Sequence, residues 1–183
     1  DSNQYKLDGK WKNIETRNEI VYTKEGDTLT KNIRFTHRGP IVSEFHKFSD
    51  KVVSMRWTGN DYSNELRSVY LINRANNWDD FKNALTTFNS LGQNVVYADI
   101  NGNIGLYSAT SIPIRKGDPQ FLYPGDTSAY DWQGIVAFDS LPHEYNPERG
   151  YVSSANCNTA PPSYPHYISN WFDLPYRMDR IRE

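Results

Sequence analysis

An α+β fold rich in β-structure is predicted by three observations. Apolar residues alternate on either side of Lys24–Asp27, a stripe with helical period runs from Trp78 to Phe88, and two paired runs flank Asn101-Gly102. Lys12–Thr23 places Ile14, Thr16, Ile20 and Tyr22 on one face. Leu29, Ile33 and Phe35 repeat the pattern, with Thr30, Asn32 and Arg34 opposite. The intervening Lys24-Glu25-Gly26-Asp27 is turn-forming, so the two runs read as a β-hairpin. Val53, Met55 and Trp57 suggest a further short strand.

In Ser63–Arg74, the spacing of Leu66, Val69, Tyr70 and Asn73 is helical, although Val69–Ile72 also reads as a buried strand. Trp78, Phe81, Leu85 and Phe88 fall at i, i+3, i+7 and i+10, one face of a helix. Asn77 is placed to cap it, and Asp79 and Asp80 in its first turn suit the helix dipole. Asn94–Asp99 and Asn103–Ala109 read as strands joined at Asn101-Gly102, a pair that favours a type I′ turn with both residues at positive φ. Residues 110–150 look like loop, and five of the ten prolines fall there or at its edges. A loop of that length is usually functional or wrapped around another element. Tyr151–Ser154 reads as a short strand. Asp173–Glu183 begins a helix, with Pro175 in its first turn and Met178 and Ile181 on one side.

Composition narrows the functional classes. A chain of 183 residues with 37% hydrophobic and 14% aromatic content reads as a single domain over 1–183 with a core. Its 13 Tyr and 5 Trp favour strands and large amphipathic contact surfaces. A net charge of −2 gives no basic stripe for nucleic acid. No apolar run approaches the ~20 residues of a membrane helix, and none forms a signal-peptide core. The single Cys157 excludes an internal disulfide and a four-cysteine zinc site. The absence of an initial Met and the abrupt end in a helical segment read as a piece of a longer protein.

Most candidate sites have a plainer explanation. Asp99-Ile100-Asn101-Gly102-Asn103 offers oxygen ligands at alternate positions, but Ile104 and Thr110 stand where a calcium loop needs Gly and a bidentate Glu. His37, His46, His143 and His166 form neither HExxH nor a close pair with Cys, so each reads as a surface or structural residue. No GxSxG elbow and no complete GxGxxG is present. In Ser153–Asn158, two asparagines follow a strand; composition alone makes this a loop with turn-forming Asn, though an Asn amide can also donate to a developing oxyanion.

Four segments in order carry a family resemblance. They are QNVVYADINGNIGLYSATSIPIRKGD (Gln93–Asp118), YPGD (Tyr123–Asp126), YDWQG (Tyr130–Gly134) and NPERGYVSSANCN (Asn146–Asn158). Together they resemble the downstream half of the β-chain of penicillin acylases, which are N-terminal nucleophile (Ntn) hydrolases. Weaker similarity extends upstream through Gly9-Lys10-Trp11, Thr36-His37-Arg38-Gly39-Pro40, and Asn76-Asn77-Trp78 with Phe81. In the second of these, Arg38 occupies the place of the family's histidine. The resemblance implies a β-rich portion of the Ntn αββα sandwich with two or three helices. It also implies that Asn156, counted from Gly150, is an oxyanion-hole residue, with Asn158 as the alternative. The arginine that orients this Asn maps to Arg177, in the context of Trp171, Tyr176 and Arg180-Ile181.

The departures shape the functional expectation. An Ntn nucleophile is the first residue of its chain and uses its own amine as base. Here Asp1 comes first, and Ser2 has no free amine. The chain therefore reads as the oxyanion side of a penicillin amidase-like hydrolase of non-peptide N-acyl bonds, such as those of β-lactams, N-acyl amino acids or acyl-homoserine lactones. It is expected to be inactive alone. Its expected partners are a small amide substrate and the remainder of the acylase, namely the α-chain and the N-terminal part of the β-chain. No cofactor is expected. Calcium, used by some family members, has no support because Tyr164–Ile168 lacks a carboxylate. The rival reading is a non-catalytic, tyrosine-rich β-domain that binds protein or carbohydrate through the 110–150 loop.

Overall fold

Strands β1 (Gln4–Leu7) and β2 (Lys10–Asn13) pair around Asp8 and Gly9, which take φ of 49° and 80°. Two consecutive residues at positive φ make the tight turn whose twist matches the flanking strands. The computed structural model describes residues 3–45 and 50–183. Asp1, Ser2 and His46 lie outside the described residues. The chain forms two compact units, one of Asp1–Asn60 with Arg115–Trp132, the other of Asp61–Ile114 with Gln133–Glu183.

In the first unit, β3 (Glu15–Tyr22) and β4 (Thr28–Thr36) form the antiparallel hairpin expected from the alternation, in register from Glu15↔Phe35 to Tyr22↔Thr28. Gly26 takes φ 92° in the connecting turn, which is closed by Thr23 N–H on Asp27 O at 2.9 Å. The strand expected from Lys12 onward is thus two elements, split at Ile14. The two-residue β5 (Gly39–Pro40) folds back on β4, making His37-Arg38 the connecting turn. The expected strand over Val53, Met55 and Trp57 is reduced to a single bridge, Ile41↔Ser54. Its neighbour cannot support a ladder. Pro40 has no N–H to donate, and the chain leaves the sheet in a 3₁₀ turn at Val42–Glu44.

The second unit holds the core of Phe81, Leu85, Tyr107, Ala109, Ile112, Val136 and Leu141. Helix α1 (Glu65–Ile72) is capped by Asn64, and α2 (Trp78–Leu85) by Asn77, whose side chain accepts Asp80 N–H at 2.9 Å. The helical alternative for Ser63–Arg74 is therefore the correct one, but the expected face is not the buried one. Leu66 is 85% exposed, whereas Ser68 is fully buried and its hydroxyl meets Thr87 at 2.8 Å. A satisfied hydroxyl is cheap to bury, so hydropathy alone does not pick this face.

Strands β6 (Gln93–Ala98), β7 (Ile104–Ala109) and β8 (His143–Tyr145) form an antiparallel sheet with β7 at its centre. The β6–β7 turn differs from the expected type I′. Only Gly102 has positive φ, at 83°, while Asp99 C=O accepts from Gly102 and Asp99 N–H donates to Asn103. This is the three-residue loop with a glycine bulge. The Asp99 carboxylate holds it, accepting from Asn101 N–H at 2.9 Å and from both nitrogens of Asn103. The Asn103 amide, above all, keeps that carboxyl below its usual range. Gly105 has a separate role: a Cβ there would lie 2.4 Å from the Trp78 ring, which stacks on Tyr145 and meets Tyr97 edge-on.

Two further expectations change. β8 and the bridge Pro113↔Ile135 give order to the 110–150 segment that reads as loop. Tyr151–Ser154 forms no strand, because its ties run through side chains rather than a backbone ladder. Helix α3 (Tyr176–Arg182) follows Pro175 as expected, and buries Met178 but leaves Ile181 exposed. With three α-helices and three antiparallel sheets among the described residues, the chain is α+β and β-rich.

Candidate active site

The Asn146–Gly150 motif is a turn locked to the β6–β7 loop. Asn146 takes φ 48°, its side-chain oxygen accepts Ile104 N–H at 2.9 Å, and its amide donates to Asn103 at 2.8 Å. Gly150 N–H closes the turn on Pro147 O at 2.9 Å. From there the chain leads to Ala155, which is buried, and turns at Asn156, whose φ is 58°. Asn is among the few residues that tolerate this left-handed conformation.

Arg177, in the first turn of α3, reaches back to this reversal. One terminal nitrogen donates to Asn156 Oδ1 at 2.7 Å and to Ala155 O at 3.4 Å, and it pairs with the Asp173 carboxylate. Asp173 N–H in turn donates to Asn156 O at 2.9 Å. Hydrogen bonds from Arg177 and from Leu174 N–H, with the guanidinium charge, hold the Asp173 carboxyl below its ordinary range. A guanidinium only donates, so the Asn156 atom facing it must be the oxygen. Asn156 Nδ2–H is then turned away from Arg177, with no acceptor among the described residues.

Asn158 is placed differently. Its side-chain oxygen accepts Ala160 N–H at 3.0 Å in a local turn. The structure therefore brings Arg177 to Asn156 and not to Asn158. Asp173 is a member of the cluster that the sequence reading did not single out. Its signal is an acid four residues ahead of an arginine, the spacing of an ion pair on one helical turn.

In the first unit the family-like segments bind one another. Arg38, 17% exposed, donates to Asp131 at 2.5 Å, Gly125 O at 2.8 Å and Thr127 O at 2.6 Å. His37 contacts the other oxygen of Asp131 at 3.1 Å and stacks on Tyr5. YPGD and YDW thus form the receptacle for the Thr36–Pro40 turn within the first unit. His143 meets Leu141 O at 2.7 Å, and His166 meets Tyr164 edge-on. Among the described residues no three His, Cys, Asp or Glu side chains converge as metal ligands.

Comparison with known proteins matches the penicillin amidase family model over residues 1–183. The chain belongs to the penicillin amidase family. It is 31% identical to penicillin G acylase from Escherichia coli over 98% of its own length and 22% of that protein's. It is 26% identical to the acyl-homoserine lactone acylase QuiP of Pseudomonas syringae pv. tomato, again over 98% of this chain and 22% of that protein. The thermostable penicillin G acylase from Alcaligenes faecalis superposes with a TM-score of 0.73 at 27% identity, covering 93% of this chain and 31% of that one. The chain accordingly spans about a fifth of the length of these curated relatives.

Proposed function

We propose that these residues form the oxyanion side of the cleft of an amide hydrolase that cleaves a non-peptide N-acyl bond. The observation that carries this reading is Arg177 occupying Asn156 Oδ1, which commits Nδ2–H to whatever lies in front of it. The relatives are named for penicillin G and for acyl-homoserine lactones, which makes N-acyl β-lactams and N-acyl amino compounds the substrate classes to test.

The reaction begins when an N-terminal serine, supplied from outside these residues, attacks the acyl carbonyl carbon. Its proton passes to its own α-amine, and the carbonyl π-electrons move onto oxygen. Asn156 Nδ2–H donates to that oxyanion. Collapse re-forms the carbonyl and expels the amine, which takes the proton from the α-ammonium. Water then gives a proton to the same amine and adds to the acyl-enzyme, and the second tetrahedral species, held by the same donor, collapses to the acid as the serine oxygen leaves with that proton. A fixed donor aimed at the developing charge needs no reorganisation, and losing one costs roughly 3 kcal/mol of transition-state stabilisation.

In the complete enzyme, Asn156→Ala is expected to lower kcat by roughly 10²–10³ with little change in KM. Asn158→Ala is expected to be near-silent. A crippling Asn158→Ala beside a silent Asn156→Ala would shift the donor by two positions, and silence at both would remove the oxyanion reading.

A further inference from the structure

The loop that carries Asn156 is tied on its other side to the β6–β7 strand pair, through a polar network with Asn94 at its node. Asn94 of β6 faces Ser108 of β7 across the ladder. Ser108 is buried, and its hydroxyl donates to Asn94 Oδ1 at 2.7 Å. Asn94 Nδ2 donates to Ser154 Oγ at 2.8 Å, and Ser108 Oγ meets Thr159 Oγ1 at 2.8 Å. Thr159 also reaches Asn94 Oδ1 at 3.5 Å. Ser154 and Thr159 bracket Asn156. The sheet therefore grips the loop at both ends, while Arg177 of α3 and Asp173 just ahead of that helix grip the reversal.

The two sets of bonds do different things. Arg177 decides which end of the Asn156 amide is presented. It touches only the reversal itself, through a side chain that is itself about half exposed. The β6–β7 pair is hydrogen-bonded along its whole length, with β7 buried between its neighbours. A donor must hold its place to within roughly 0.5 Å, and a displacement of about 1 Å costs on the order of 10²-fold. A rigid strand is the element that can supply such precision.

We infer that Asn94 is a positioning residue for the Asn156 donor, acting through Ser154 and through the Ser108–Thr159 pair. The inference rests on the oxyanion reading of Asn156. A cross-strand asparagine that merely satisfies a buried serine would contribute to stability and to nothing else. A positioning residue acts on turnover, and only while the group it positions is present.

The test is a double-mutant cycle in the complete enzyme, with kcat and KM measured for one phenylacetyl amide. Asn94→Ala is expected to lower kcat about tenfold with KM nearly unchanged, and to give no further loss when combined with Asn156→Ala. Ser154→Ala with Thr159→Val, which leaves Asn94 in place, is expected to reproduce the loss and serves if Asn94→Ala does not fold. Ser154→Thr keeps the hydroxyl and is expected to restore turnover. Equal losses in the parent and in the Asn156→Ala background would overturn the role, as would an unchanged kcat in the loop variants. An Asn156→Ala enzyme with the parent's kcat would instead remove the donor itself, and the positioning role with it. That outcome is distinct because it appears before Asn94 is touched.

Discussion

An asparagine amide rotated by half a turn presents a carbonyl instead of an N–H and would repel an oxyanion. The Asn156–Arg177 bond at 2.7 Å prevents that rotation, and the Asp173 carboxylate holds the guanidinium in turn. Asp173 has a folded-state pKa below its ordinary 3.8, so its pairing stabilises fully above that value and is lost as pH falls through the lower one. Asp173→Asn is therefore expected to lower the melting temperature at neutral pH. Its gap to the parent should narrow as pH is taken below 3.8. The pair is about half exposed, so the gap itself should be small. Melting curves of the two proteins between neutral and acid pH check this, and a gap that stays constant would show that the pairing contributes no pH-dependent stability.

Among the elements, the β6–β7 hairpin depends on two glycines for unlike reasons. Gly102 needs φ 83°, where a side chain meets no atom but strains the backbone, so Gly102→Val is expected to cost more than about 1 kcal/mol. Gly105 has an ordinary φ, but its Cβ would strike Trp78, so Gly105→Ala is expected to cost about 1–3 kcal/mol by overpacking. Urea unfolding distinguishes them. Trp78→Leu should relieve the second substitution and leave the first unchanged.

The sequence made some of this legible. The hairpin of β3 and β4 and the helix α2 were readable because period and punctuation agree: alternation meets Gly26, and a helical stripe meets the cap Asn77. Asp8-Gly9 carries an equally good turn signal, but the apolar alternation across Ile14 masks the break between β2 and β3. The buried face of α1 is set by a hydroxyl pair and β8 by three residues docking on a distant strand, and neither leaves a periodic trace. The site is harder still. Asn156 and Arg177 have no common period, and family resemblance brings them together; Asp173 shows only as an acid four residues ahead of Arg177, and the Asn94 network emerges only in three dimensions.

At the scale of the molecule, the chain spans 22% of the length of its acylase relatives, and the proposed function takes its nucleophile from outside these residues. The isolated 183 residues are accordingly expected to show no turnover of chromogenic phenylacetyl or longer acyl amides. Turnover that Ser2→Ala abolishes would contradict that division. Ile20, Val21, Tyr22 and Leu29 on the β3–β4 hairpin are half to three-quarters exposed in the chain as described. The isolated chain is thus expected to bind a hydrophobic dye that the complete enzyme does not. The central claim is that Asn156 acts on the tetrahedral species and not on bound substrate. The most direct measurement is the affinity of the complete enzyme, parent and Asn156→Ala, for a phosphonate that carries the acyl group and mimics the oxyanion, with the product acid as ground-state reference. The expected result is a loss of phosphonate affinity by the same factor of roughly 10²–10³ as kcat, with product-acid affinity unchanged. Equal phosphonate affinity in the two proteins would contradict the account.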